Sequence, residues 1–461
     1  MQPAAIVGAV ISFFLAMRHF IVVGAGIAGL NAARHLQRAG CSVTVLEAAR
    51  SPGGRIRSVP FHGQTIECGA QFVSSRYRYV LPLLQEAGLA SRLRKTSAVA
   101  AMQRGPVFHA VHSKRPWTLG TSGQLTWGET WQMLRGGLAT AREVRGVDPS
   151  HYASLAALDD EDAQAWSTRV FGEAAARYFF EPMVHGLYFH RLAGTSRALL
   201  GALTAFNGAD TLTVDDGWQA LPRAMASALD VRYGANVEQV RETLDGVRVC
   251  VNGEWLDADG VVLAAPAHIA RAWLPQPTLG ESAVLDARYA PSVHVALGLP
   301  PSWSAPKVFQ PVYGALFAPV EGSPLAALTF QQGKTPGDGP IVCAMLGEQA
   351  AAKVGHLSDT ALVRFVVEAM AAHLPGIDRA AVSTHLQRWE VAEPRSPVGR
   401  ARAVAAYRNT LGRDRRVVLA GDYLGSPWTD GAAETGHWAA QHLLAARMQR
   451  PDHAALARAV A

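Results

Sequence analysis

The residues with the plainest chemical purpose lie close together near the start of the chain. Gly24, Gly26 and Gly29 stand in a G-x-G-x-x-G spacing, Glu47 follows 23 positions after the first of them, and Ser51-Pro52-Gly53-Gly54-Arg55 makes a second glycine turn. Each residue type answers a need of a bound pyrophosphate. The first glycine turns the chain tightly, the second lets the backbone approach the phosphates, and the third lets a helix lie close on a strand. Ile27 and Ala28, the first residues of that helix, present free N–H groups and the positive end of its dipole. Glu47, with Ala48 beside it, stands where a carboxylate accepts hydrogen bonds from an adenosine ribose. An acid rather than an arginine at this place favours a free ribose, as in FAD or NAD, over the phosphorylated ribose of NADP. Arg55 adds a guanidinium able to clamp a phosphate or reach a flavin edge.

These groups need a frame. Phe20 to Val23 is a continuous apolar, β-rich run, the pattern of a parallel strand buried on both faces. The spacing predicts a helix over about 27–39, stopped by Gly40, and a second strand over Ser42 to Leu46. A lone glycine motif is weak, but strand, turn, helix, strand and terminal acid in register within about 30 residues is a specific signal. A second frame lies far along the chain. Arg416 to Ala420 reads as a buried strand, followed by Gly421-Asp422-Tyr423 and Ser426-Pro427-Trp428-Thr429-Asp430-Gly431-Ala432. A helix then carries small or apolar residues at 432, 436, 439, 440, 443 and 444, one stripe. Asp430 reads as the N-cap of that helix rather than as a base.

Together these stretches resemble the FAD-containing superfamily of amine oxidases, protoporphyrinogen oxidases and phytoene desaturases. The resemblance also rests on Glu67-Cys68-Gly69-Ala70-Gln71-Phe72, whose Gly69, Ala70 and Gln71 would pass near the flavin ring. Asp216-Gly217-Trp218-Gln219-Ala220-Leu221-Pro222 resembles a "GG-x-x-x-L-P" segment with Asp216 in place of its first glycine. By the same resemblance Val237 would meet the adenine through its backbone, and Ala265, in Val261 to Pro266, would lie near the phosphates. Asp422 would bind the ribityl chain, with Gly421 beside it. Thr429, Gly431 and Ala432 would start a helix aimed at the pyrimidine edge, where a helix N-terminus stabilises an anion by up to about 2 kcal/mol.

The resemblance implies an α/β fold: a Rossmann-like FAD-binding domain, discontinuous over residues 17–75, 211–272 and 388–450, with an α+β substrate domain. That second domain would take residues 76–210 and 273–387 and carry a helical insert. FAD would be held non-covalently, since no cysteine follows Cys343.

Composition sets bounds. The 461 residues are 49% hydrophobic and only 17% charged, which implies extensive buried surface, a large apolar pocket or contact with a membrane, and disfavours disorder. The formal charge is +6, and the absence of a basic run interleaved with aromatics excludes an obvious nucleic-acid partner. Cys41, Cys68, Cys250 and Cys343 lie far apart without metal-ligand spacing, so reduced thiols, a cytoplasmic compartment and no metal are expected. Ala4 to Ala16 is apolar but short of the roughly 20 residues of a membrane span. It also lacks the basic flank of a signal peptide. Residues 1–16 therefore read as an over-long start or an apolar tail giving at most weak membrane association.

Residues 73–210 read as mainly helical, with helices at Tyr77 to Gly88, Trp127 to Arg145 and Asp159 to Tyr178. In the second, Trp131, Leu134 and Leu138 form the stripe expected to face the core. The last continues into Phe179 to Tyr188, a segment that resembles the pocket roof of the protoporphyrinogen oxidase and desaturase branch. Residues 275–390 read as a sheet lining a substrate site, with strands at His294 to Leu299, Leu325 to Phe330 and Ile341 to Leu346.

Flavin chemistry needs little from side chains beyond positioning the hydride donor and tuning the ring. Two positions bear on which donor. In amine oxidases a lysine ahead of the substrate sheet holds a water against the flavin. The strand here that aligns with it, Tyr289 to Leu297, carries His294 instead, and no lysine stands near it in sequence. His294 is the expected catalytic residue and counts against an ordinary amine oxidase. Trp428 stands where such enzymes place one aromatic of an amine-holding cage. The partner position, near Gly399-Arg400, has no aromatic before Tyr407. Phe171 through Pro222 and Arg388-Trp389 resemble protoporphyrinogen oxidase and desaturase-like enzymes more closely. The expected activity is dehydrogenation of a C–C or C–N bond in a mostly apolar small molecule, with oxygen or quinone as acceptor. A peroxide-releasing amine oxidase and a non-redox flavin isomerase or mutase stay open.

Overall fold

The structure is a computed structural model that describes residues 18–243, 245–334 and 340–448; the apolar segment 1–16 lies outside them. His19–Val23 is the central strand of a five-stranded parallel sheet. Its order is Asp230–Tyr233, Ser42–Glu47, His19–Val23, Gly260–Leu263, Val417–Leu419. Phe20 and Val22 face one core, shared with helices Ile27–Arg38 and Thr429–Met448. Ile21 and Val23 face the other, shared with the meander Val237–Glu242, Val247–Val251 and Glu254–Ala258 and with helix Arg400–Thr410. A strand covered on both faces has no place for alternating polar residues, hence the unbroken apolar run.

A second, seven-stranded sheet runs Ser383–Pro394, Tyr289–Gly298, Ile341–Leu346, Leu325–Phe330, Gly314–Leu316, Val99–Arg104, Val107–His112. Val293, Val295 and Leu297 point to the face covered by helix Asp359–Ala371, through Leu362, Val366 and Met370. Successive side chains alternate across a strand, so His294 and Ala296 point the other way, where Ala296 meets Ile66 and Cys68. The insert packs helices Ala163–Phe171, Glu181–Tyr188 and Arg197–Thr204 around Trp166, Phe171, Phe180, Val184 and Tyr188.

Five features differ from the pattern read in the sequence or sharpen it. Residues 73–210 are not all helical, because the hairpin Val99–Arg104 and Val107–His112 extends the second sheet. Strand Ser383–Pro394 runs unbroken through position 388 and pairs along its length with Tyr289–Gly298. Helix Trp127–Glu143 buries Thr130, Gly136 and Thr140 and leaves Trp127, Trp131 and Leu138 exposed. Its small residues win the inner face because the helix lies very close to its neighbour: a Cβ at Gly136 would sit 2.6 Å from the Phe171 ring. Asp430 caps a helix other than its own. It accepts from the backbone N–H groups of Arg78, Tyr79 and Val80 at 2.9, 2.8 and 2.7 Å, at the start of Val80–Glu86. Asp216, at φ +62°, holds the left-handed turn conformation that a glycine adopts freely and an aspartate tolerates.

Three buried histidines tie stability to pH. Burial pushes His185 and His190 down to about 4 and His294 down to about 3. Their folded values lie below the ordinary 6.5, so the unfolded chain binds more protons as pH falls below that value. Stability is fully present above pH 6.5 and is lost on acidification, by about 1.4 kcal/mol per pH unit for each histidine at the steepest. Urea midpoints are expected to fall between pH 7 and pH 4.5; a flat profile would contradict this.

Candidate functional site

The separated motifs meet in one cleft above the C-terminal ends of the parallel strands, where open α/β sheets bind ligands. Gly24 has φ +107°, and a Cβ there would lie 2.7 Å from the Ala264 carbonyl oxygen. A Cβ at Gly29 would collide with the Gly24 carbonyl. The motif therefore brings helix Ile27–Arg38 hard against its strand, and that helix starts at Gly26 without a side-chain cap. Its first-turn N–H groups, at Ile27, Ala28 and Gly29, are left for an anion. Above Gly26 is open space, since a Cβ there would meet nothing within 4 Å. The second glycine turn faces it: Gly53 donates to the Ala25 carbonyl at 2.9 Å, and a Cβ on Gly54 would come 3.7 Å from the Gly26 Cα.

One end of the cleft is built around Glu47. Its carboxylate accepts from the Ala25 and Ala49 N–H groups at 2.7 and 2.8 Å, flanking Ala48. The Glu47 carbonyl accepts from Ala235 at 2.9 Å, which brings the start of strand Val237–Glu242, and so Val237, beside it.

The other end is built around Arg55. Its guanidinium forks onto Asp422 at 2.5 and 2.9 Å, donates to the Ala392 carbonyl at 3.1 Å and lies 5.6 Å from the Tyr289 ring centre. The Arg55 carbonyl accepts from Ala70 at 2.9 Å, and a Cβ at Gly69 would collide with it. Gln71 folds back to donate to the Gly69 carbonyl at 2.9 Å. Gly421 donates to Thr435 Oγ1 at 2.9 Å, and a Cβ on it would lie 3.8 Å from the Ala265 carbonyl oxygen.

Helix Thr429–Met448 crosses the opening helix where Gly436 meets the Ala28 backbone, and Asn31 Nδ2 donates to the Ala433 carbonyl at 2.7 Å. From that crossing it runs about 10 Å back to its start at Thr429, at 1.5 Å per residue, through Ala432 and a Gly431 packed on Ser426. Thr429 Oγ1 is buried, with the Tyr77 hydroxyl as its neighbour. These features suit a dinucleotide that carries a further ring system. The uncapped helix N-terminus would meet phosphates, the Glu47 carboxylate would stand toward a ribose, and a second helix start lies further along.

The two residues expected to act on substrate lie in different surroundings. His294 is 2% exposed, and neither ring nitrogen has a partner. Burial, then the nearby His385 and Lys334, hold it neutral. One of its ring nitrogens, Cys68 Sγ and one His385 ring nitrogen lie within 4.8 Å of one another, with Cys68 Sγ 3.7 Å from His385 Nδ1. No metal was expected, and this trio is a poor one. A metal-bound imidazole normally donates its other N–H to a neighbour, which His294 lacks, and the Lys334 cation stands close. Cys68 adjoins Gly69 in the chain, and its carbonyl accepts from Trp389 Nε1 at 2.6 Å.

Trp428 packs edge-on to Phe206 at 5.2 Å, and its Nε1 donates to Ser150 Oγ at 3.3 Å. Ser150 in turn donates to Asp430 at 2.6 Å. Trp428 thus wedges the insert against the cofactor helix.

Two residues that sequence reasoning passed over come into view. Lys334 is buried, 3.5 Å from Glu67, which also accepts from Ser58 Oγ at 2.6 Å and the Trp218 N–H at 2.8 Å. Forty positions separate it from His294 in the chain, and only the sheet brings them together. Glu393, on strand Ser383–Pro394, shares its electrostatic surroundings with Arg55, Asp422, Tyr77 and Tyr188. Burial raises its carboxyl well above the usual range, against the pull of Arg55. No spacing in the sequence marks it.

The family of flavin containing amine oxidoreductases matches the chain over residues 27–444. No curated protein matches it. Among solved structures, a protein assigned as a protoporphyrinogen oxidase from Exiguobacterium sp. 255-15 is similar at a TM-score of 0.74 and 18% identity, covering 94% of this chain and 99% of that one. Cyclohexylamine oxidase from Brevibacterium oxydans IH-35A is similar at 0.74 and 19% identity, covering 94% and 100%. A fatty acid isomerase from P. acnes is similar at 0.70 and 14%, covering 94% and 99%. Arg55→Lys keeps the charge and loses the fork, so flavin affinity measured by titration of the cofactor-free protein is expected to fall about tenfold. Unchanged affinity would contradict the role given to Arg55.

Proposed function

This chain belongs to the flavin containing amine oxidoreductase family, and from that premise we propose that it binds FAD non-covalently and dehydrogenates a C–C or C–N bond of a mostly apolar small molecule. The observation that carries the reading is the Arg55–Asp422 fork, which stands where the second glycine turn, the Gly69–Gln71 segment and the start of the last helix converge. Gly24, Gly26, Gly54 and the first turn of Ile27–Arg38 hold the pyrophosphate, Glu47, Ala48 and Val237 the adenosine, and Asp422 the ribityl chain. Gly69, Ala70, Gln71 and the Thr429–Ala432 helix start surround the ring. A flavin there supplies a hydride acceptor, reoxidised by oxygen or a quinone.

The chain's own part is to hold the donor carbon at that ring and keep water out. The core of the insert, Phe180, Val184 and Tyr188 packed with Leu316 and Trp428, is apolar and aromatic. Tyr77 and Tyr188 keep their phenol protons at neutral pH, because burial raises both above the ordinary value of 10. Burial pushes the Glu393 carboxyl well above its usual range, which disfavours a bare carboxylate that would fix an ammonium ion. This favours a neutral, largely apolar donor.

A second reading, amine oxidation with peroxide release, is supported by Lys334. It supplies in space the buried lysine that the strand around His294 lacks in sequence. Anaerobic mixing of the flavin-loaded enzyme with porphyrinogens, polyenes and hydrophobic amines separates the readings. Bleaching by the first two classes is expected. Bleaching by amines alone, with peroxide on admission of air, favours the second reading. Turnover of an apolar substrate with no acceptor consumed would make the chain an isomerase and contradict both.

A further inference from the structure

The exposed face of helix Trp127–Glu143 has no role in the flavin cleft. At 100° per residue, Trp127, Trp131, Leu134 and Leu138 fall within an arc of about 60° on the side away from the protein. Trp127, Trp131 and Leu138 are 62%, 67% and 67% exposed. The stripe continues onto the preceding turn. The Trp127 indole lies 2.9 Å from where a Cβ on Gly120 would stand, and Gly120 donates to the carbonyl of Trp117, itself 53% exposed. Soluble surfaces rarely gather three exposed tryptophans in one patch, because each gives up the burial that a large aromatic otherwise gains.

The charges around the stripe point to its occupant. Arg135 and Arg142 are exposed along one edge of it, and Arg115 is exposed beside Trp117. The two acids of the helix lie off the stripe and are already engaged: Glu129, part-buried, with Arg104 at 3.0 Å, and Glu143, 48% exposed but about 150° around the helix from the stripe, with Arg197 at 2.9 Å. The outward face is thus tryptophan and leucine edged by arginine, without a carboxylate. A second copy of the chain docked face to face would set these arginines against one another. A bilayer surface with anionic headgroups takes both parts at once: indoles at the boundary between headgroups and acyl chains, guanidinium groups on phosphates. Among the described residues no helix is long and apolar enough to cross a membrane, so the contact is one of lying on the surface.

We propose that helix Trp127–Glu143, with Trp117, is a docking surface for an anionic lipid bilayer. It holds whichever bond the flavin oxidises. The flavin-loaded full chain is sedimented with vesicles of phosphatidylcholine alone and of phosphatidylcholine with phosphatidylglycerol. Protein is expected to pellet with the anionic vesicles, less so as salt is raised. The triple variant Trp127→Ser, Trp131→Ser, Leu138→Ser is expected to bind at least about tenfold more weakly while keeping its flavin spectrum. Three results would overturn the proposal: wild-type protein that stays in the supernatant throughout, binding undiminished in the triple variant, and equal binding to neutral and anionic vesicles. Should the triple substitution cost the flavin, Arg135→Gln with Arg142→Gln tests the charged edge alone, and unaltered binding there counts against the proposal too. A wild-type dimer that the triple variant turns into a monomer would assign the face to a second copy instead.

Discussion

Arg55, its side chain 29% exposed, forks onto a nearly buried partner, Asp422, 367 positions along the chain. Removing one partner of a fully buried pair typically costs about 3–5 kcal/mol, and this part-exposed pair is worth less. The fork therefore demands that the second glycine turn and the last strand–turn–helix unit close on each other. Once they do, other contacts are fixed in turn. The Arg55 carbonyl receives Ala70, and the guanidinium receives the Ala392 carbonyl, which ties the second sheet to the cofactor domain. Gly436 against Ala28 then fixes the last helix on the opening helix, with its own start about 10 Å from the crossing. The cleft is a consequence of these closures.

The same logic explains the polar residues in otherwise apolar layers. Arg408 and Glu434, both nearly inaccessible, fork together at 2.6 and 2.8 Å and join helix Arg400–Thr410 to helix Thr429–Met448. Asp430 satisfies three backbone N–H groups that a helix start would otherwise leave unpaired in the interior. The Asp430 contacts join segments about 350 positions apart, and the Arg408–Glu434 fork joins two helices 26 positions apart.

This also decides what could be read from the chain before its structure was known. The opening unit was legible because its chemistry is local: strand, glycine turn, helix and Glu47 lie within a few dozen residues, and their periodicities point the same way. The hairpin at Val99–His112 was not, because its strands are stabilised by a neighbour, Gly314–Leu316, far along the chain. The stripe on Trp127–Glu143 misled because periodicity shows that a helix has an apolar face, not which way it turns. Gly136 and Thr140 take the inner side because small residues let two helices approach. Lys334 and Glu393 reach the site only through sheet register, which leaves no mark in the sequence. The spacing of the glycine motifs thus said nothing about Lys334 or Glu393.

The central claim is that the separated segments form one cleft for FAD, held without a covalent bond. It is tested most directly by denaturing the purified protein and identifying what enters solution. The account predicts a yellow protein that releases FAD, about one per chain, and leaves a colourless precipitate. A flavin that stays with the denatured chain, FMN in place of FAD, or a protein that binds no flavin when FAD is supplied would contradict it.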